Sequence, residues 1–161
     1  MAERRSWRIV NIGSMGPLLP TPFSGGYCAT KSAVHVLSDV LRMEVAPFGI
    51  EVTEVQPGAV RSSIADTACR GMERYNTAAS RYQAVFDGIA RRARASQQKP
   101  TEAEAFARAV VPALLADKAP RIGRAGRGAR LYPALGRLPG AARDRVLTRR
   151  FGLHRLRGER P

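Results

Sequence analysis

The sequence is poor in cysteine and lysine, and it has no long apolar run. Its two cysteines, Cys28 and Cys69, are too few for a disulfide framework, and neither has a cysteine or histidine neighbour at the spacing of a zinc site. We therefore expect a reduced, cytoplasmic chain with no bound metal. Charged residues interrupt every apolar stretch well before about 18 residues, so no membrane-spanning helix is predicted. Residues 1–5 also lack the apolar segment of a signal peptide.

Positive charge is in large excess. The chain has 27 basic and 13 acidic residues, a net charge of +14, and only three of the basic residues are lysines. Arginines crowd residues 125–161, where only Asp144 and Glu159 oppose them. A nucleic-acid-binding stretch usually interleaves aromatic residues, whereas Tyr132 and Phe151 are isolated here, so nucleic acid is disfavoured. We interpret the tail as a solvated surface, with weak peripheral contact to anionic lipid as the alternative.

Two apolar segments joined by one long amphipathic segment predict a parallel pair of strands. Residues 8–14 are a β-branched run that suits a strand buried on both faces, and residues 27–46 repeat apolar side chains at helical spacing. Residues 50–56 form a second strand pattern, closed by Pro57 and Gly58. A βαβ unit has parallel strands, and ligands lie beyond the carboxyl ends of such strands. We expect the functional site at those two ends.

The remaining chain predicts short helices and one further strand. Residues 62–98 are polar and suggest two helices, and residues 101–116 suggest a helix capped by Thr101 with Glu104 at the reciprocal position. Residues 120–123 are expected to form a short edge strand. The arginine-rich tail is expected to add one or two short helices.

Tyr27 and Lys31 are the first candidate functional residues. They are four apart at the start of the long helix, so their side chains share one face, where the lysine ammonium favours the tyrosine phenolate. This spacing alone is common by chance. Ser14 ends the preceding strand, however, and its hydroxyl is expected to meet the same site from the other side.

Three segments in order carry a family resemblance. They are Ile-Val-Asn-Ile-Gly-Ser at 9–14, Gly-Tyr-Cys-Ala-Thr-Lys-Ser-Ala at 26–33 and Val-Gln-Pro-Gly-Ala-Val-Arg-Ser at 55–62. The chain resembles the classical short-chain dehydrogenase/reductase family, nearest its lipid- and steroid-reducing branch, which includes acyl-dihydroxyacetone-phosphate reductases and hydroxysteroid dehydrogenases. The resemblance implies an α/β fold, the C-terminal part of a doubly wound Rossmann-like parallel sheet with flanking helices. Residues 1–124 would be this part of the domain, and residues 125–161 an arginine-rich extension.

The resemblance also implies an activity and a catalytic group. Tyr27 would donate or accept the substrate proton, Lys31 would assist it and hold the nicotinamide ribose, and Ser14 would orient the carbonyl oxygen. The implied enzyme is an NAD(P)-dependent oxidoreductase that interconverts a carbonyl and a secondary alcohol. Its substrate would be a small molecule, with a lipophilic ketone favoured, and the complete protein could be a homo-oligomer.

The second strand end would contribute the remaining cofactor contacts. By resemblance, the turn at Pro57 and Gly58, the backbone of Val60 and the hydroxyl of Ser62 belong to the nicotinamide site. The family usually has threonine where this chain has Ser62, which keeps the hydroxyl and loses a methyl group. The cofactor is NADP or NAD, with NADP favoured.

Part of the family's pattern is missing from the sequence. No glycine-rich turn joins a strand to a helix, and the glycines of residues 123–128 are interpreted as a loop rather than a phosphate cradle. The relay asparagine and the residue that selects at the ribose 2′ position are absent as well. We therefore expect the N-terminal strands to lie upstream of Met1. The alternatives are a truncated, catalytically silent fragment or a basic peripheral-membrane module without chemistry.

Five other residues have less specific interpretations. His35 lies near the apolar stripe of the long helix and is interpreted as a packing or surface residue rather than a catalytic one. Cys28 is interpreted as a small core residue. Tyr75, Tyr82 and Phe86 fall in a segment that covers substrate in the family, and substrate contact and helix packing both stay open for them.

Overall fold

The computed structural model describes residues 7–156 and contains one parallel sheet of three strands. The strands are β1 (Trp7–Ile12), β2 (Ile50–Pro57) and β3 (Ile122–Ala125), in the spatial order β1-β2-β3. Both neighbouring pairs are parallel. The parallel βαβ unit predicted from the sequence is thereby confirmed, and so is the short edge strand, which lies two residues later than the predicted 120–123. The expectations for residues 1–5 and for Arg157, Glu159 and Arg160 lie outside the described residues.

The crossover between β1 and β2 is the helix α1 (Gly25–Val45). The helix ends before a short 3₁₀ turn, after which Gly49 adopts a left-handed backbone with φ of 68° and lets the chain enter β2. It begins two residues earlier than predicted. The Cys28 amide donates to the Ser24 carbonyl at 2.9 Å, and nothing within 4 Å crowds either glycine of the first turn, so both fit the helix.

The two paired strands differ in burial. β2 lies in the middle of the sheet, and Val52 and Val55 are buried there. β1 forms an edge of the described sheet, and Ile12 is 54% exposed. The expectation that the first strand is buried on both faces is therefore wrong for this structure, because no described element covers the face that carries Val10 and Ile12. The outer face of α1 is likewise open, with Leu37 65% exposed.

Three helices follow β2. They are α2 (Ile64–Cys69), α3 (Phe86–Arg94) and α4 (Ala103–Leu115). The prediction of two helices in residues 62–98 is confirmed, with 3₁₀ turns between them. The predicted cap at Thr101 is wrong. Glu102 precedes the first turn of α4, while Thr101 pairs with Val60 in an isolated parallel bridge and its hydroxyl accepts the Arg127 amide at 3.0 Å.

The tail packs against the rest of the chain. It forms two short helices, α5 (Leu131–Gly136) and α6 (Gly140–Arg150), as predicted. Leu147 and Phe151 are buried, and a Cβ added at Gly88 of α3 would overlap the Phe151 carbonyl. The absence of a side chain at Gly88 therefore allows the tail to approach α3. No helix within residues 7–156 is long and apolar enough to cross a membrane.

Candidate active site

Ser14 and Tyr27 meet where β1 ends and α1 begins. The Tyr27 hydroxyl donates to Ser14 Oγ at 3.0 Å, and Ser14 Oγ also accepts the Gly16 amide at 3.0 Å. A Cβ at Gly16 would lie 3.1 Å from the Tyr27 ring and 3.3 Å from Ser14 Oγ. Glycine at this position therefore leaves room for the pair. The two residues predicted to meet are in direct contact.

Lys31 lies one helical turn beyond Tyr27. Its ammonium donates to the Ile12 carbonyl, the last of β1, at 2.9 Å. This contact directs the lysine to the same strand end as Ser14. An ammonium has three donors, so Lys31 retains donors for a further acceptor there.

The end of β2 packs closely on the turn after β3. The Met15 amide donates to the Pro57 carbonyl at 3.2 Å, and the Gly58 amide donates to the Ala125 carbonyl at 2.9 Å. A Cβ at Gly58 would overlap the Arg127 carbonyl. Gly58 is therefore required here by the approach of another backbone segment.

Val60 and Ser62 share one side-chain partner that the sequence did not indicate. The Gln97 amide donates to the Val60 carbonyl at 3.1 Å, and its oxygen accepts the Ser62 amide at 3.2 Å. Gln97 thus presents a carboxamide to the segment where the resemblance places the nicotinamide carboxamide. It lies in a polar run of the sequence and has no pattern that would single it out.

A buried polar network lies next to this site. Glu54 is only 2% exposed, and its Oε1 lies 2.8 Å from His35 Nε2 and accepts the Gln56 amide at 2.8 Å. Arg124 Nε donates to Gln56 Oε1 at 2.7 Å. The network joins α1, β2 and β3. A carboxylate inside a buried strand needs such partners, because an unpaired buried charge is costly.

His35 also approaches the site residue Ser14. The Ser14 amide lies 3.4 Å from His35 Nε2. One imidazole nitrogen cannot donate to Glu54 and accept from Ser14 at once. The shorter contact, at 2.8 Å, is the one to Glu54, so we assign the Nε2 proton to that hydrogen bond. His35 is thus a packing residue with a specific polar partner.

A cavity of about 730 Å³ opens over Ser14 and Tyr27. Tyr75 lines it, whereas Tyr82 and Phe86 do not, and the Tyr82 ring packs edge-on against Phe23 with 6.2 Å between centroids. Tyr75 is therefore the one of these three placed for contact with a bound molecule.

The environment of Cys28 agrees with its interpretation as a core residue. The residue is buried, and its thiol lies 3.6 Å from the Gly16 carbonyl.

Within residues 7–156, no group of three or more His, Cys, Asp or Glu side chains could hold a metal ion.

Comparison with known proteins supports the family resemblance. Residues 1–72 match the family model of the short chain dehydrogenases. The resemblance to the short-chain dehydrogenases that the sequence carries is thereby confirmed. A solved short-chain dehydrogenase from Streptomyces avermitilis is similar with a TM-score of 0.62 and 31% identity, over 96% of this chain and 54% of that one. The chain thus spans about half of that structure, and the expected Rossmann-like fold is confirmed.

Several curated relatives of this chain are lipid or steroid enzymes by their names. A 3-ketodihydrosphingosine reductase of Bacteroides thetaiotaomicron is 41% identical over 41% of this chain and 24% of its own length. An NADPH-dependent 1-acyldihydroxyacetone phosphate reductase of Schizosaccharomyces pombe is 39% identical over 38% of this chain and 21% of its own length. The 17-beta-hydroxysteroid dehydrogenase type 2 of Homo sapiens is 39% identical over 42% of this chain and 18% of its own length. The matches cover less than a quarter of each relative and confirm the expected branch.

Proposed function

We propose that this chain forms the reacting end of an NAD(P)-dependent oxidoreductase that interconverts a carbonyl and a secondary alcohol. The observation that supports the proposal is the 3.0 Å hydrogen bond between the Tyr27 and Ser14 hydroxyls at the floor of a cavity. Two hydroxyls from different elements converge there, and both can reach one oxygen atom of a bound molecule.

These hydroxyls suit the charge that carbonyl reduction creates. When bound, the nicotinamide cofactor supplies a hydride to the carbonyl carbon. The carbonyl oxygen then needs a proton and a stabilising donor in the same step. Tyr27 donates the proton, and Ser14 donates a hydrogen bond that orients the oxygen. Lys31, held at the end of β1 by the Ile12 carbonyl, positions the ribose beside them.

The residues after β2 fit the nicotinamide end of the cofactor. A carboxamide needs one donor and one acceptor, and the Ser62 amide and Val60 carbonyl already satisfy these needs for the side-chain carboxamide of Gln97. The same segment, with Pro57, Gly58 and the Ser62 hydroxyl, would hold the nicotinamide once its carboxamide takes the place of that of Gln97. We favour NADP, since the fission yeast relative is NADPH-dependent by its name.

The substrate we propose is a lipophilic ketone. Apolar side chains such as Phe23, Ile64, Met72 and Leu135 line the cavity over Ser14 and Tyr27. Burial of an apolar substrate body against them is favourable by about 25 cal/mol per Å². We also propose that residues 1–124 carry the dehydrogenase part and that residues 125–161 form an extension, of which the described residues 125–156 pack on that part.

The substitution Tyr27→Phe tests the function. It removes only the hydroxyl, so we expect turnover of lipophilic ketones by the full gene product to fall at least about a hundredfold, while cofactor binding changes little. Tyr82→Phe is the matched control, because Tyr82 lies outside the cavity lining and should retain normal turnover. NADPH oxidation and cofactor titration measure the two effects. Turnover above about a tenth of wild type in Tyr27→Phe would contradict the proposed role.

A further inference from the structure

A second cavity, of about 1060 Å³, lies beside the one that contains Ser14 and Tyr27. We call it the arginine cavity, because five arginines line it and, among the residues the structure describes, no aspartate or glutamate does. The five are Arg124, Arg127, Arg130, Arg137 and Arg150. A concave surface lined by charge of one sign attracts ions of the opposite sign.

The arginines of this cavity stand outside the ion pairs formed in the described part of the chain. Within residues 7–156, none of the five guanidinium groups forms an ion pair. Arg124 donates to the neutral Gln56 amide oxygen, and Arg127 donates to the backbone carbonyl of Lys99 at 3.3 Å. By contrast, Arg61 outside the cavity pairs with Glu102 at 2.7 Å. The cavity therefore holds positive charge available to an external anion.

The arginine cavity and the cavity over Tyr27 share one wall. Its residues are Ala59, Ala95, Gln98, Leu131, Tyr132 and Arg150. The backbone fixes this arrangement, since the Ala59 amide donates to the Arg127 carbonyl at 2.9 Å. The left-handed backbone of Gly126 and Gly128, with φ of 84° and 88°, turns the chain on both sides of Arg127. The arginine cavity therefore adjoins the cavity over Tyr27, and Arg150 lines both.

We propose that the arginine cavity binds the phosphate group of an amphiphilic carbonyl substrate whose apolar body occupies the cavity over Tyr27. The inference rests on the proposed oxidoreductase function and specifies its substrate class. Guanidinium groups form paired hydrogen bonds with phosphate oxygens. Five such groups offer more N–H donors than the two oxygens of a carboxylate can accept. A phosphate monoester presents three terminal oxygens and therefore accepts more of these hydrogen bonds.

Four probes separate the parts of this proposal, each titrated calorimetrically into the purified chain. Inorganic phosphate presents the anion alone, octanol the apolar chain alone, and octyl phosphate both. Vesicles that contain phosphatidic acid present the same phosphate chemistry on a lipid surface. We expect octyl phosphate to bind about tenfold or more tightly than either soluble part alone, because it reaches both cavities. Binding to vesicles with none to octyl phosphate would overturn the proposal.

A charge-matched pair of variants tests the location. Arg130→Gln with Arg137→Gln removes two charges from the cavity lining, and Arg81→Gln with Arg145→Gln removes two exposed charges that line neither cavity. We expect the first pair to weaken octyl phosphate binding about tenfold or more and the second to change it less than about twofold. Equal losses in both pairs would overturn the proposal, since binding would then follow net charge alone.

The titration also separates this proposal from the proposed function. Octyl phosphate has no carbonyl group, so its binding requires no reaction. Failure of the oxidoreductase proposal appears as turnover retained in Tyr27→Phe, whereas failure of the phosphate site appears as octyl phosphate binding unaffected by Arg130→Gln with Arg137→Gln. The two results come from different measurements.

Discussion

His35 and the buried Glu54 form a pair directly against the backbone at the end of β1, with His35 Nε2 2.8 Å from Glu54 Oε1. A Cβ at Gly13 would lie 2.5 Å from the carboxylate oxygen and 2.8 Å from the imidazole nitrogen. The glycine before Ser14 is therefore required by the space that this pair occupies. The pair in turn fixes how closely α1 approaches the strand end where Ser14 and Tyr27 meet.

The first prediction concerns Gly13→Ala. The added methyl group collides with Glu54 and His35, neither of which can move into solvent without breaking the buried hydrogen bond, so we expect a loss of about 1 to 3 kcal/mol in unfolding free energy. Urea denaturation measures it. The control is Gly26→Ala, where nothing lies within 4 Å and the change should stabilise the helix by about 0.5 to 1 kcal/mol. A Gly13→Ala protein as stable as wild type would show that the pair moves aside without cost.

The contact between Ser14 and Tyr27 could be predicted from the sequence because it follows from topology. A strand that ends at Ser14 and a helix that begins near Tyr27 must meet at one edge of a parallel sheet. The apolar periodicity of the two segments is strong enough to define both elements. The same periodicity did not predict the exposure of Ile12 and Leu37, because alternation reveals which side chains suit a core but not what covers them.

The polar partners could not be predicted, because they depend on distances between remote segments. Glu54 in the middle of an apolar strand indicates that some partner must exist, but nothing in the sequence distinguishes His35 from other candidates. At Thr101, by contrast, the sequence predicted a role that the structure does not show. Its local sequence is typical of a helix cap, yet tertiary pairing with Val60 and Arg127 uses its backbone and hydroxyl instead.

The second prediction concerns the cross-strand pair of Arg8 and Glu51, which face each other on β1 and β2. Arg8 Nε donates to Glu51 Oε2 at 2.8 Å, and this hydrogen bond holds the pKa of the Glu51 carboxyl below its usual range. A carboxyl whose pKa is lowered by folding stabilises the folded state above its unfolded pKa of about 4.3. That contribution is lost as the pH falls through the lower, folded value.

We therefore expect Glu51→Gln to be less stable than wild type at pH 7, and the difference to shrink as the pH falls below about 4. The pair is partly exposed to solvent, so the difference at pH 7 should be below about 1 kcal/mol. Urea denaturation of both proteins between pH 7 and pH 3 measures it. Glu104→Gln, which removes a carboxylate from a more exposed pair, is the control and should show a smaller effect. A difference that grows on acidification would contradict the assigned direction of the pKa.

The third prediction concerns residues 125–161 and anionic membranes. Each arginine near a charged bilayer contributes about 1 kcal/mol at most, and the Debye length of about 8 Å at 0.15 M salt limits its reach. Lasting attachment also needs apolar side chains that can enter the bilayer. Leu147 and Phe151 of the tail are both buried, with Phe151 only 4% exposed, which leaves Leu131 and Val146, both smaller than Phe151, as the more exposed apolar groups.

We therefore expect vesicle flotation at low salt to fade as salt rises to about 0.15 M and above. Deletion of the tail is a poor control, because it would uncover the surface on which Phe151 packs. Arg145→Glu with Arg149→Glu is better, since both side chains are exposed and the substitutions leave Leu147 and Phe151 in place. This pair should reduce flotation at low salt and change nothing at high salt. Flotation that persists at high salt in wild type would mean that the tail unpacks and inserts Leu147 and Phe151, and it would favour a peripheral-membrane protein over the solvated surface inferred here.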